Sequence, residues 1–341
     1  MIDNNKRRLD TIKHFYGDEN IKNKVPLVIV HNDTFHCDDV FSVVMLSLIN
    51  GKVQFIRTRD SDIIKTGDYV CDVGGICNPH SHRFDHHMYY FNETFSEDYD
   101  VKLSSSGLVY KYCTDELFKK FDLNLEGDFY NYIRNEIYEN YLLPIDAIDN
   151  GYNIFKDVLP RTISTIVGSF NSPKQNFIDK DGVLDFERYE EEQYKQFVKA
   201  ADLIKDDFIR FMTKIKSVDV KYFSAVKELV NSTTEKYIIS PCIAYTQGLI
   251  SKIAKILNKD LLFVIYQQPN KFRIYAFRKS KISFESKCPL FKDWRGKRTE
   301  DLKQYSDFPG MEFVHSSGFT GQADNLKTAI AMCEYSIKHN E

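Results

Sequence analysis

A chain of 341 residues exceeds what one compact core usually organises, and 43% hydrophobic with 28% charged side chains excludes a disordered or fibrous protein. The net charge of −3 gives no global pull towards nucleic acid, and the longest nearly apolar run, residues 40–49, is broken by serines and too short to cross a bilayer. Seven cysteines, an odd number with no C-x-x-C pair, argue against a zinc finger and a disulfide framework.

The amino terminus M-I-D-N-N-K-R-R-L-D has no apolar core and carries acidic residues, so neither a secretory nor a transit peptide is expected. The expected compartment is the cytoplasm, with the nucleus as a further one, and no membrane partner is expected. Residues 1–24 are polar and helical at best. Residues 27–30, L-V-I-V, read as a buried strand, and His31 stands at its end. Apolar residues at helical spacing predict a helix over 37–50, closed by Gly51. Strands are expected at 53–57 and 69–73. This strand–helix–strand rhythm predicts a parallel sheet with crossover helices.

A serine-capped amphipathic helix comes next, from about residue 102, and a longer one from about 128, kinked near Pro144 and ending in P-I-D-A-I-D-N-G. Asp146 and Asp149 are three apart and share a face. The stretch 184–230 is a charged helical connector closing a first domain at about residue 235. Residues 236–341 then form a smaller α+β domain: a helix at 248–257, a hairpin over 261–277, and a glycine-bearing loop leading into a final helix. The overall expectation is α/β, a mainly parallel sheet with flanking helices, succeeded by that smaller domain. Residues 271–303 hold eleven basic and four acidic side chains, a local +7 suited to phosphates.

Six of the nine histidines fall between His31 and His87, with Asp38, Asp39, Asp72 and Asp85 interleaved. Imidazole with carboxylate is the ligand set for a divalent ion such as manganese, iron, zinc or magnesium. His31, Asp72 and the Asp85-His86-His87 group sit at or just after strand ends, where open α/β sheets bind their ligands. The candidates His31, His36, Asp38, Asp72, Asp85, His86, His87 and Asp149 are too many for one ion and suit two. A pair of ions about 3.5–4 Å apart needs a bridging carboxylate and serves phosphoryl displacement; Asp72, at the end of the central strand, is the natural bridge. Asp39 is read as a helix cap, His80 and His82 as surface, and Cys37 as an inert buried thiol. No G-x-S-x-G elbow, P-loop or dinucleotide motif is present.

H-x4-H-x-D at 31–38, V-C-D-V-G-G at 70–75 and F-D-H-H at 84–87 resemble the DHH phosphoesterase superfamily. F-I-R-T-R-D at 55–60, K-L-S-S-S-G-L-V-Y at 102–110, I-D-A-I-D-N-G at 145–151, W-R-G at 294–296 and V-H-S-S-G-F-T-G at 314–321 make the closer resemblance one to its melanocyte-proliferating-gene (Myg) branch of RNA exonucleases. By position, the resemblance implies one metal on His31, His36 and Asp72 and a second on Asp38, Asp72, His86 and Asp149, with Asp146 the weaker alternative to Asp149. It implies two divalent ions, manganese by family expectation, with magnesium or another ion as substitutes. Asp85 and His87 would be catalytic, His87 facing the substrate phosphate and Asp85 orienting it. His315, Gly318 and Gly321 would bind substrate, with Arg273 and Arg295 as phosphate contacts. Gln322, Met88 and Ser106 depart from the family pattern.

The implied reaction is phosphodiester hydrolysis by a metal-bridging hydroxide, acting as a 3′–5′ exonuclease on the end of single-stranded RNA. The alternatives are a phosphohydrolase of small molecules or short oligonucleotides, and a metal-containing RNA-binding protein without catalysis.

Overall fold

The computed structural model describes residues 14–20, 25–153, 155, 158, 160–280 and 283–339. The chain divides into two compact units, 1–213 and 214–341. The first unit carries a six-stranded sheet: β1 (His14–Gly17), β2 (Leu27–Val30), β3 (Lys52–Arg57), β4 (Tyr69–Cys71), β5 (Cys77–Asn78) and β6 (Arg83–Phe84), in the order β1-β3-β2-β4-β6-β5. The inner pairs are parallel, and the two edge strands run antiparallel to their neighbours. This is the expected mainly parallel sheet. β1 lies where the sequence suggested helix at best; Tyr16 is buried there, and its hydroxyl donates to Asp202.

All four residues of β2 are buried, as befits a central strand covered on both faces. Helix α1 (Cys37–Asn50) is buried from Cys37 to Leu48 on every face, so it is a core helix and not an amphipathic one. It stops at Gly51, whose φ of 79° supplies the left-handed turn. The short α2 (Ser61–Ile64) precedes β4, and α3 (Ser105–Lys120) is capped by the Ser104 hydroxyl. Then α4 (Gly127–Ile137) passes through a π-turn segment, Tyr138–Leu142, into α5 (Leu143–Asp149). The irregularity expected at Pro144 therefore lies just before it, and Pro144 occupies the first turn of α5, where its missing N–H costs nothing. α6 (Ile163–Gly168) and α7 (Phe186–Lys214) complete the unit.

The second unit begins within the helical connector, earlier than the expected boundary near 235. Its first regular helix, α8 (Lys221–Ser232), belongs with the second sheet and not with the connector. After it come β7 (Tyr237–Ser240), α9 (Gln247–Ile256), β8 (Phe263–Gln268), β9 (Lys271–Ala276), α10 (Thr299–Leu302), β10 (Met311–Val314), β11 (Thr320–Ala323) and α11 (Leu326–His339). The sheet order is β10-β11-β9-β8-β7, antiparallel except for the β7–β8 pair. The expected hairpin is β8–β9; β7, β10 and β11 are additions. Trp294, Leu290, Met332 and Cys333 join Phe263, Ile265 and Ile274 in the core on one face of this sheet. Among the described residues, no helix is long and apolar enough to cross a membrane.

Candidate metal centre

His31 is the first residue after β2, Asp72 the first after β4, and Asp85, His86 and His87 come directly after β6. Because these three strands are adjacent and parallel, their polar termini collect along one edge of the sheet. Asp72 adopts a left-handed backbone, φ 61°, which costs a non-glycine residue about 1–2 kcal/mol. Its N–H donates to the Phe84 carbonyl at 3.2 Å, holding that conformation against β6.

The start of α1 adds His36, Asp38 and Asp39. Asp39 Oδ1 accepts the His36 N–H at 2.9 Å, so the capping role expected of it is realised. Its other oxygen, Oδ2, lies 3.5 Å from His31 Nε2 and belongs to the cluster. Asp72 divides its carboxylate: Oδ2 lies 3.1 Å from His31 Nε2, and Oδ1 lies 3.2 Å from His86 Nε2. Around His86 Nε2 stand Asp149 Oδ2 at 3.2 Å and Asp38 Oδ2 at 3.7 Å. Ligand atoms of His31, His36 and Asp72 fall within 4.8 Å of one another, as do those of His36, Asp38 and Asp149 and those of Asp72, His86 and His87.

His31 Nε2, His86 Nε2, Asp38 Oδ1 and Asp39 Oδ2 are all buried without a hydrogen-bond partner. One such atom costs about 1–3 kcal/mol, and four converging on one place are what a cation site presents before its cation. The donor set, imidazole nitrogen and carboxylate oxygen, fits a divalent ion.

The charges are mutually dependent. Burial disfavours the imidazolium of His31, but Asp39 and Asp72 outweigh burial and push its pKa up to about 9. Burial likewise opposes the charge on His86, and Asp72, Asp38 and Asp149 push it up to about 9. Burial, then the Asp38 carboxylate, raises Asp149 to about 9. Asp72 is held well below the usual carboxylate range, its burial more than offset by His31 and His86.

His87 is exposed, and its Nδ1 lies 2.8 Å from Asp85 Oδ1. Asp85 in turn accepts the N–H groups of Gly75 at 2.6 Å and His87 at 3.1 Å. Despite burial, His87 and these two N–H groups hold Asp85 below its ordinary pKa, and Asp85 raises that of His87. Asp146 stands apart from the cluster. It is fully buried and accepts from the Ser104 N–H at 3.0 Å, the Ser104 hydroxyl at 2.7 Å and the Tyr138 hydroxyl at 3.0 Å. Of the two aspartates of α5, Asp149 is the one at His86.

Contributors that the sequence did not single out complete the surroundings. Ser105 donates its hydroxyl to Asp72 Oδ1 and its N–H to Asp38 Oδ2, both at 3.2 Å; the S-S-S-G run was visible, but only as a helix cap. Arg57, at the end of β3, donates to Glu190 of α7 at 3.1 Å and to the Asp33 carbonyl. Gln193 donates to Asn171 Oδ1 at 2.9 Å, and Asn171 pairs with the backbone of Phe35. These contacts fix the loop between His31 and His36. Cys37 is buried, which pushes its thiol far up and agrees with an inert role. His80 and His82 are exposed as expected. A cavity of about 680 Å³ opens beside the cluster, lined by His36, His86, His87, Ile148, Asp149 and Ser164 among others.

The five residues expected to bind substrate from the second domain lie in the second unit. His315 is half-buried, its Nδ1 3.0 Å from the Ser317 hydroxyl. Arg295 donates its Nε to the Leu290 carbonyl at 2.7 Å, beneath Gly318, where a Cβ would come within 2.8 Å of that nitrogen. Gly321 is buried, and a Cβ there would meet Leu290 Cδ1 at 2.5 Å, so close packing accounts for it. Arg273 donates to Gln322 Oε1 at 2.9 Å.

The MYG1_exonuc family model, described as "Uncharacterised protein family (UPF0160)", matches residues 27–337. The chain is 30% identical to the MYG1 exonuclease of Bos taurus over 326 residues, covering 92% of this chain and 84% of that protein. It is 31% identical to the MYG1 exonuclease of Rattus norvegicus over 336 residues, with the same coverage, 92% and 84%. Among solved structures, RecJ in complex with Mn2+ from Thermus thermophilus is 10% identical with a TM-score of 0.25, covering 92% of this chain and 52% of that one.

Proposed function

The chain belongs to the MYG1_exonuc family, and from that premise we propose that it is a divalent-metal-dependent phosphodiester hydrolase that removes nucleotides from the 3′ end of single-stranded RNA. The observation that carries this reading is the divided carboxylate of Asp72, with His31 on one oxygen and His86 on the other. Around it, buried atoms of three of the assigned ligands, His31 Nε2, His86 Nε2 and Asp38 Oδ1, lack hydrogen-bond partners, as does the neighbouring Asp39 Oδ2. One ion would be held by His31, His36 and Asp72, and a second by Asp38, Asp72, His86 and Asp149. Bound there, such a pair supplies Lewis-acid charge for the phosphoryl oxygens and lowers the pKa of a water towards neutrality.

The chain's own residues prepare that chemistry. Ser105 fixes Asp72 and Asp38 by hydrogen bonds, so the shared carboxylate is set before any ligand arrives. Asp85 engages Nδ1 of His87 and favours its imidazolium, leaving Nε2 to donate to a non-bridging phosphoryl oxygen. His87 is exposed, as suits a residue that meets substrate; the His31 and His86 side chains are nearly inaccessible, while the ligand candidate His36 is exposed at the cavity. The cavity beside His86 and His87 is of the size that takes a small organic ligand, here the terminal nucleotide.

The deciding experiment incubates metal-free protein with manganese and with 5′-labelled RNA, the matching DNA and a panel of small phosphoesters, with a chelator control. The reading expects manganese-dependent shortening of the RNA from its 3′ end. No turnover of any substrate would overturn the enzyme; turnover of small phosphoesters alone would overturn the exonuclease.

A further inference from the structure

We propose that the accessible part of the second unit's sheet, the β9–β11–β10 end of the face opposite its core, is a stacking track for single-stranded nucleic acid, built by Tyr275, Arg273, Phe313 and Arg298. The proposal rests on the exonuclease reading for its substrate class. Alternation along β9 sends Ile274 and Ala276 into the core and leaves Arg273 and Tyr275 on the opposite face. Cross-strand register then extends a row away from Arg273. Gln322 of β11 lies opposite Arg273, Phe313 of β10 lies opposite Gln322, and Arg298 bridges to Phe313 beyond the edge. Arg298 is exposed, and the other members of the row are partly so.

The row is not a set of loose charges. The Arg273 guanidinium carbon lies 5.4 Å from the Phe313 ring centroid and 5.8 Å from that of Tyr275, and that of Arg298 lies 4.9 Å from Phe313. Two guanidiniums over one phenylalanine are held in place by its ring. Gln322 accepts from Arg273 at 2.9 Å and donates to Glu312, which ties Arg273 over Phe313. Gln322 is one of the positions at which this chain departs from the related pattern.

Guanidinium planes and aromatic rings in one row are what unpaired bases stack on, and the two positive charges answer the phosphates between them. A duplex hides its bases, and a folded protein partner offers no regular array of planar groups and anions. The local +7 of residues 271–303 supplies the matching charge.

Fluorescence anisotropy of the full chain with labelled oligouridine of twelve nucleotides, in chelator, reads binding without hydrolysis. Phe313→Ala and Arg298→Ala are each expected to raise the Kd about tenfold, the loss of roughly one stacked base, and Phe313→Tyr to restore it. Arg298→Ala should also flatten the salt slope by about 0.7, one phosphate contact on a single strand, whereas Phe313→Ala should leave it. An unchanged Kd in both alanine variants overturns the track, as does a duplex of equal length binding as tightly as the single strand. Because Arg298 is solvent-exposed, its variant keeps the test open if Phe313→Ala does not fold. RNA hydrolysis with unchanged variant affinities would sink the track alone. Variant-sensitive binding without any hydrolysis would sink the proposed function alone.

Discussion

Asn171 grips the backbone of Phe35 at both ends, accepting its N–H at 3.0 Å and donating to its carbonyl at 2.8 Å. The side chain thus imitates a paired strand for the loop between His31 and His36, although 136 residues separate the partners. Asn171→Ala removes both bonds and frees the loop that sets those two imidazoles. Residues that orient metal ligands typically change affinity by about 10–100-fold when lost, and manganese affinity is expected to fall in that range. Calorimetric titration of metal-free protein checks this. Unaltered affinity would make Asn171 a purely structural tie.

The division of the Asp72 carboxylate predicts a stoichiometry. The native protein is expected to bind two manganese ions per chain, His31→Ala one, and Asp72→Asn neither with comparable affinity. Loss of Lewis-acid charge worth several kcal/mol should reduce turnover by about 10³-fold or more in Asp72→Asn. Metal analysis after equilibrium dialysis reads the count directly. Two tightly held ions in Asp72→Asn would refute the bridging role.

How much of this was readable beforehand depends on the range of the interactions. The ligands after β2 and β4 are legible because apolar, β-branched runs fix those strands and a parallel sheet places their ends together, whereas Asp85, His86 and His87 stand out by their motif alone. Asp149 could not be separated from Asp146 by spacing, since residues three apart share a helix face; only the contacts of Asp146 with Ser104 and Tyr138 remove it from the cluster. β5 and β6 have two residues each, too short for any period to register. β1 gives no apolar run either: of its four residues only Tyr16 is buried, beside half-exposed Phe15. Asn171 and Asp39 act through partners or second oxygens that no local pattern announces.

Gly107 gives a prediction whose sign opposes helix propensity. Alanine at an interior helix position ordinarily gains about 1 kcal/mol over glycine. Here a Cβ would lie 2.6 Å from Asp146 Oδ2 and closer still to Oδ1, in a fully buried site where Asp146 is fixed by three donors. Gly107→Ala is expected to destabilise by about 1–3 kcal/mol, as overpacked cores do. By shifting the start of α3 it should also disturb Ser105 and weaken metal binding. Urea denaturation of the metal-free protein measures the first effect; a gain in stability would show that α3 can move away at no cost.

His14 gives the pH prediction. Its ring stacks on Tyr194, with centroids 3.4 Å apart and planes at 19°, and burial, then the charge of Arg57, lowers its pKa from 6.5 to about 4. Above pH 6.5 the imidazole is neutral in both folded and unfolded chains, and its contribution is constant. Between 6.5 and 4 the unfolded chain takes up a proton that the folded chain refuses, so stability is lost as the pH falls through that window. Asp39, Asp146 and Asp149, raised by burial to about 7, 7 and 9, hold protons in the folded chain across that window and oppose this trend in the metal-free protein, so the total curve does not isolate His14. The difference between the native chain and His14→Gln does. Thermal midpoints in chelator should converge as the pH drops from about 7 to about 4.5, the native chain losing more than the variant. Parallel curves over that range would mean that His14 titrates as freely folded as unfolded.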